Sequence, residues 1–228
     1  MINMFRKSFF AAIMSALSLN ASSQPQRSVD DSATNLMVVL RETTGVNKQD
    51  ETLTPVGKGK VKLQDGTEFE FDPGWYAYIG DMHVRFVFDT PTSMLNATPK
   101  DLERLKQTPD MALELAVKNI NRVYGEPKIS PWNDVMQVKG KSPDLDSSYF
   151  LDREFWKELL KQHPEGLVAL VAKRGGLLFS PLSNQKAVDG MRKSVAYLHS
   201  SSERMRISSG LYLFKDGKWS VFQEPVKQ

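Results

Sequence analysis

Three histidines are the first residues to consider for proton transfer or metal ligation. His83 lies in the alternating run HVRFVFD, while His163 and His199 end two apolar-periodic segments. The last two suit helix C-termini, where a cation meets the negative end of the dipole. Neither has metal-ligand spacing with another histidine, and HExxH is absent. His83 is the one to test, because Asp81 and Asp89 lie close in sequence and an imidazole beside a carboxylate can move a proton. Ser183-Asn184-Gln185-Lys186 matches the SxxK pattern of acyl-transferring enzymes, but the companion Ser-Asp-Asn and Lys-Thr-Gly elements are missing. Ser183 then reads as a helix cap before a surface lysine. GxSxG does not occur, and with no cysteine there can be no disulfide, thiolate metal site or cysteine nucleophile.

Three further patterns have a chemical and a plain reading. Glu68, Glu70 and Asp72 could bind a metal or sugar, and read better as an ion-paired solvated strand face. Asp144-Leu145-Asp146-Ser147-Ser148 resembles the front of a calcium loop without its glycine and closing glutamate, so it reads as a polar turn. Lys173-Arg174-Gly175-Gly176 could cradle an anion on backbone N–H groups, and reads first as a tight hairpin turn.

These residues must be positioned by the following elements. Segment 35–42 (NLMVVLRE) is a strand by its branched residues. In 58–72 (KGKVKLQDGTEFEFD) two alternating runs flank Asp65-Gly66. A three-residue loop pairs Lys62 with Glu68, Lys60 with Glu70 and Val61 with Phe69, which charge complementarity favours. Segments 75–79 and 83–89 form a strand pair around Gly80-Asp81. Val84, Phe86 and Phe88 share one face, and His83, Arg85, Val87 and Asp89 the other. Thr98-Pro99 and Thr108-Pro109 each open a helix with a capping threonine, proline at the first position and an early acid. The second helix runs to about Tyr124 and buries Leu113, Ala116, Val117, Ile120, Val123 and Tyr124. A strand at 133–139, a helix capped by Asp152, a hairpin over 167–179 and a helix over 184–199 follow. In the last hairpin, turning at Asp216-Gly217, a three-residue loop pairs Leu213 with Trp219 and avoids setting Lys215 against Lys218. About nine strands, mostly in hairpins, and four helices predict an α+β fold: a largely antiparallel (mixed) sheet with helices packed on it.

Residues 1–23 carry Arg6 and Lys7, an apolar run of 12 residues (8–19) and small residues before Gln24. These are the three parts of a secretory signal peptide, and the run is too short to span a membrane. Residues 24–34 read as a flexible linker and 35–228 as a single domain. Loss of two leader cations takes the formal charge from +3 to +1, so the sequence pI of 8.9 overstates the basicity of the mature chain. A near-neutral surface gives no reason to expect nucleic acid as partner, and no membrane insertion is expected after cleavage.

From His83 onward the chain resembles the YtpQ-like family of bacterial domains of unknown function. The stretches that carry the resemblance are VRFVFDTPTSMLNATPKDLERL, ALELAVKNINRVYG, SSYFLDREFWKELL and GLVALVAKRGGLLFS. They include an extended segment ending in Asp89, an Ala-x-x-Asn-hydrophobic pattern from Ala116 to Ile120, and an arginine, Arg174, at a hairpin turn. The resemblance implies a mixed α/β domain and no known reaction. In place of an acid after the hairpin arginine this chain has Gly175.

His83, Asp89, Asn119 and Arg174 are therefore the candidate binding residues, with no catalytic set, no metal and no cofactor indicated. The expected function is an exported, secreted or periplasmic, non-enzymatic binding module whose partner is a protein or cell-envelope component. Exposure of Trp75, Tyr76 and Tyr78 on one surface would favour it. The alternatives are an envelope hydrolase or transferase, which needs His83 against Asp81 or Asp89 or Lys186 against Ser183, and an immunity-like or regulatory partner protein.

Overall fold

The structure is a computed structural model and describes residues 30–226. The proposed leader and residues 24–29 of the linker lie outside the described residues. Strand β1 (Leu36–Glu42) pairs antiparallel with β6 (Met82–Asp89) along its whole length. The opposite edge of β6 carries β5 (Trp75–Ala77) and β7 (Met94–Asn96), and β2 (Thr54–Pro55) extends the sheet beyond β5. Between them, β3 (Gly59–Lys62) and β4 (Glu68–Phe71) form a separate two-stranded ribbon. Helices α1 (Pro99–Arg104) and α2 (Pro109–Tyr124) follow. A second sheet of six strands has the order β13-β12-β10-β11-β9-β8, all antiparallel. Its strands are β8 (Lys128–Trp132), β9 (Val135–Lys139), β10 (Leu167–Val171), β11 (Leu177–Pro181), β12 (Leu211–Lys215) and β13 (Lys218–Gln223). A 3-10 stretch (Pro143–Leu151), α3 (Arg153–Leu160) and α4 (Gln185–Ser200) complete the α+β fold.

The strand alternation of the second sheet divides the apolar residues into two groups. Leu167, Ala169, Val171, Phe179, Tyr212 and Phe214 join the first sheet in one core, with Trp156 and Phe150. Val168, Leu170 and Leu178 face the other way, against Val188, Met191 and Val195 of α4. β1 is buried on both faces from Leu36 to Leu40.

Local signals decide the helix starts. Thr98 and Asp101 form a reciprocal capping box, Thr108 caps α2, and Asp152 and Asn184 cap α3 and α4. The β3–β4 ribbon has the register that charge pairing predicts: Lys62 opposite Glu68, Lys60 opposite Glu70, Val61 opposite Phe69. The last hairpin does not. Its loop has two residues, Asp216 and Gly217, both at positive φ, and Lys215 stands opposite Lys218. This register sets Phe214 against Trp219, whose rings lie 4.9 Å apart in the core. Burying two aromatic rings stabilises by several kcal/mol, whereas repulsion between two exposed lysines costs only a few tenths (~). The 3-10 stretch also departs from expectation. Asp146, Ser147 and Ser148 are buried rather than in a solvated turn. Two of them have backbone partners: Asp146 Oδ1 accepts from Gly140 N–H (2.7 Å) and Ser148 Oγ donates to Val38 O (2.8 Å).

In α2 the buried stripe is Ala112, Ala116, Asn119 and Ile120, with Val123 exposed. Asn119 is therefore a core-facing amide. Its Nδ2 donates to Ala33 O (2.8 Å) and Leu36 O (2.9 Å), tying α2 to the outer edge of β1. Asn119→Ala removes both donors from this buried position. The expected loss is about 1–3 kcal/mol in urea unfolding; an unchanged midpoint would show that the two carbonyls do not need them.

Candidate functional site

Arg41 and His83 are register partners on β1 and β6, and Arg85 lies two residues further along the same face of β6. Trp75, on β5, pairs with Arg85. Arg174 arrives from the second sheet, at the β10–β11 turn. Its own N–H donates to Met205 O (3.1 Å), and its carbonyl accepts from Ser147 N–H (3.0 Å). Two sheets thus bring three arginines into one neighbourhood, with Arg41 and Arg85 flanking the His83 imidazole and Arg174 beside them.

The hydrogen bonds fix the state of that imidazole. Arg85 Nε donates to His83 Nε2 at 2.8 Å. A guanidinium N–H can only donate, so Nε2 must offer its lone pair. The neutral ring then carries its proton on Nδ1, which donates to Thr43 Oγ1 at 2.6 Å. Burial, then the charges of Arg85 and Arg41, push His83 down to about 3. Trp75 stacks on His83 (centroids 5.0 Å apart), and the Arg85 guanidinium sits 3.6 Å over the Trp75 ring. That cation–π contact is worth about 0.5–2 kcal/mol.

The arginines lack the usual compensation. Among the described residues, none of Arg41, Arg85 and Arg174 makes an ion pair. Arg41 donates to its neighbour's carbonyl, Leu40 O, and the buried Nε of Arg174 has no hydrogen-bond partner. Burial, then Arg174 and Arg85, bring Arg41 down to about 10, with Asp144 opposing. Burial and Arg174 lower Arg85 as well. Like charges held together at partial burial are costly.

A groove of about 430 Å³ opens onto Arg41 and Arg174 and runs to Asp89, Ser93 and Tyr124, with Asp144 on its rim. The Asp89 carboxylate is engaged by the Tyr124 hydroxyl, whose pKa burial and Asp89 push up to about 12. Asp89 and Arg174 therefore line one groove, His83 supports its cationic end, and Asn119 lies apart in its structural position. A larger cavity of about 490 Å³ opens on the same turn, but its only charged residues are Lys173 and Glu203. Its other polar lining is Gln137, Ser201 and Ser202.

The acid–base pairs of the alternative readings are not formed. His83 contacts Thr43 and Arg85 rather than Asp81 or Asp89. Ser183 donates to Glu165 (2.6 Å), and Lys186 pairs with Asp134 (3.1 Å). Nor do the aromatics form an exposed patch: Tyr76 and Tyr78 are buried and Trp75 is half-buried under Arg85. Lys173-Arg174-Gly175-Gly176 is a turn closed by Gly176 N–H to Lys173 O, and contributes through its arginine side chain. Arg41 and Arg85 are the site residues that sequence reasoning passed over. Their signal was an arginine in each of two strands, NLMVVLRE and HVRFVFD, that are otherwise nearly all apolar. No protein-family model matches the chain, and no curated protein or solved structure matches it either.

Proposed function

We propose that the protein is an exported, non-enzymatic binding module that takes an anionic group, a carboxylate or phosphate of a cell-envelope component or protein partner. The groove lined by Arg41, Arg174 and Asp89 receives it, with Arg85 behind. The observation that carries this reading is the meeting of three arginines without a carboxylate in ion-pairing range among the described residues. A guanidinium fork matches both oxyanions and binds them through charge-assisted hydrogen bonds. The neutral His83, with both ring nitrogens engaged, supports a binding role over proton transfer.

The test is calorimetric titration of the protein with citrate and with inorganic phosphate. Arg174→Gln should weaken binding at least about tenfold, since a hydrogen bond to a charged group contributes ~1.5–3 kcal/mol. The same variant should leave the ligand-free protein as stable or more so, because one of three mutually repelling charges is gone. Equal affinity in wild type and variant, or no binding of either anion, would remove the proposal.

A further inference from the structure

Arg41 and Glu42 are consecutive on β1, so their side chains leave the strand on opposite faces. On the Glu42 face lies a second polar cluster, independent of the arginines. His199, from the last turn of α4, is 2% exposed and places Nε2 at 2.8 Å from Glu42 Oε1. Asp81, in the β5–β6 turn, is 4% exposed. One donor atom from each of Glu42, Asp81 and His199 lies within 4.8 Å of the other two. The three come from widely separated parts of the chain, and the strand, turn and helix that hold them are all packed in the core.

A hydrogen bond accounts for Glu42 with His199, and an ion pair for Glu42 with Arg206, whose Nε stands 3.8 Å from Oε2. Neither accounts for Asp81. That carboxylate is held by neutral donors: the Tyr212 hydroxyl (3.2 Å), itself 2.6 Å from Ser208 Oγ, with Ser208 and Ser209 contributing. Burial keeps the Asp81 carboxyl above its ordinary range. The approach of Tyr212 is close enough that the preceding residue must be glycine: a Cβ on Gly80 would stand 2.2 Å from the Tyr212 oxygen, and its φ is +62°. Hydroxyls that orient a buried carboxylate towards an imidazole and a second carboxylate are the outer shell of a metal site. A cavity of about 260 Å³ beside Glu42 and Asp81, lined also by Thr44, Asn47 and Glu224, gives an entry path and room for water ligands.

We infer that Glu42, Asp81 and His199 form a binding site for a divalent transition-metal ion. Two carboxylate oxygens and one imidazole nitrogen suit zinc or manganese, with water completing the coordination. Metal–ligand distances of about 2.0–2.2 Å require side-chain shifts on the order of an ångström, within rotamer adjustment. The ion binds Nε2 of His199 in place of the hydrogen bond to Glu42 Oε1. Glu42 and Asp81 contribute their charges, and the outer oxygen of Glu42 stays with Arg206.

The test uses tag-free protein stripped with chelator and titrated calorimetrically with zinc sulfate or manganese chloride. One ion should bind per chain. Asp81→Asn and His199→Gln, which keep side-chain size and hydrogen bonding, should each weaken binding at least about tenfold. The chain has only three histidines, so ring proton resonances give a second measurement that needs no variant: zinc should shift His199 and leave His83 and His163 in place. Absence of binding, affinity unchanged in both variants, or a zinc shift at His163 in place of His199 would overturn the inference.

Discussion

Replacing Trp156 by alanine is expected to destabilise the protein by about 3–5 kcal/mol. Trp156 is fully buried and sits where α3 meets the second sheet. Its ring meets Trp219 (centroids 5.0 Å apart) and Phe179 (5.5 Å) edge-on, with Phe155 at 5.1 Å and Phe214 at 6.3 Å. Its Nε1 donates to Tyr149 O at 2.9 Å. The substitution therefore opens a large cavity, removes several aromatic contacts and takes one of two donors from the Tyr149 carbonyl, which keeps the Asp152 N–H. It also frees α3, which at eight residues is too short to be stable without packing. Against a total stability of roughly 5–15 kcal/mol for a domain, the urea midpoint should fall steeply with the m-value unchanged. Trp156→Phe keeps most of the ring and loses one hydrogen bond to a carbonyl that retains another donor, so it should cost about 0.5–1.5 kcal/mol. A loss below about 1 kcal/mol for alanine would mean that the aromatic cluster is not the centre of the core.

The second large effect is an acid sensitivity set by His83. An unfolded histidine titrates near 6.5, whereas the folded ring is held at about 3. Between these values the unfolded chain takes up a proton that the folded protein refuses. The contribution is therefore fully present above pH ~6.5 and is lost as pH falls towards ~3. At pH 4.5 the loss should be roughly 2–3 kcal/mol relative to pH 7. The buried carboxyls of Asp81 and Asp146, whose values are raised by burial, act in the opposite sense over the acid range. The clean measurement is the difference between wild type and His83→Gln. Glutamine can accept from Arg85 and donate to Thr43, and it does not titrate. Urea unfolding at pH 7 and pH 4.5 should show the wild type losing more than the variant. Parallel curves would place a charged histidine in the folded protein, and with it the proton assignment in the arginine site would fall.

Features encoded within a few residues were legible in the sequence. The Thr-Pro helix starts, the strand faces of HVRFVFD and the register of the β3–β4 ribbon all depend on neighbours in the chain. The ribbon could be read by charge because it is solvated, with no core to compete. In the β12–β13 hairpin the same reasoning failed, since Phe214 and Trp219 answer to Trp156 and Phe150 rather than to the turn. Strand β8 has no counterpart among the expected elements; its Pro131 lies on an edge strand, where proline is tolerated. The site was half legible. Asp89 and Arg174 were named and do share a groove, but Arg41 and Arg85 gain their meaning only from the β1–β6 register. Nothing local reveals that His83 will lie beneath them.

The outer edge of β1 has one more consequence. A strand with a neighbour on one side only offers its free backbone groups to any other extended chain, and a run as apolar as Leu36–Leu40 would be an efficient seed for aggregation. Here α2 and the 3-10 stretch reach that edge with side chains: the Asn119 amide takes the carbonyl of Leu36, and the Ser148 hydroxyl takes that of Val38. Two polar residues thus stand where another molecule's strand would otherwise dock. They let the protein keep a strongly hydrophobic strand at the border of a sheet without recruiting copies of itself.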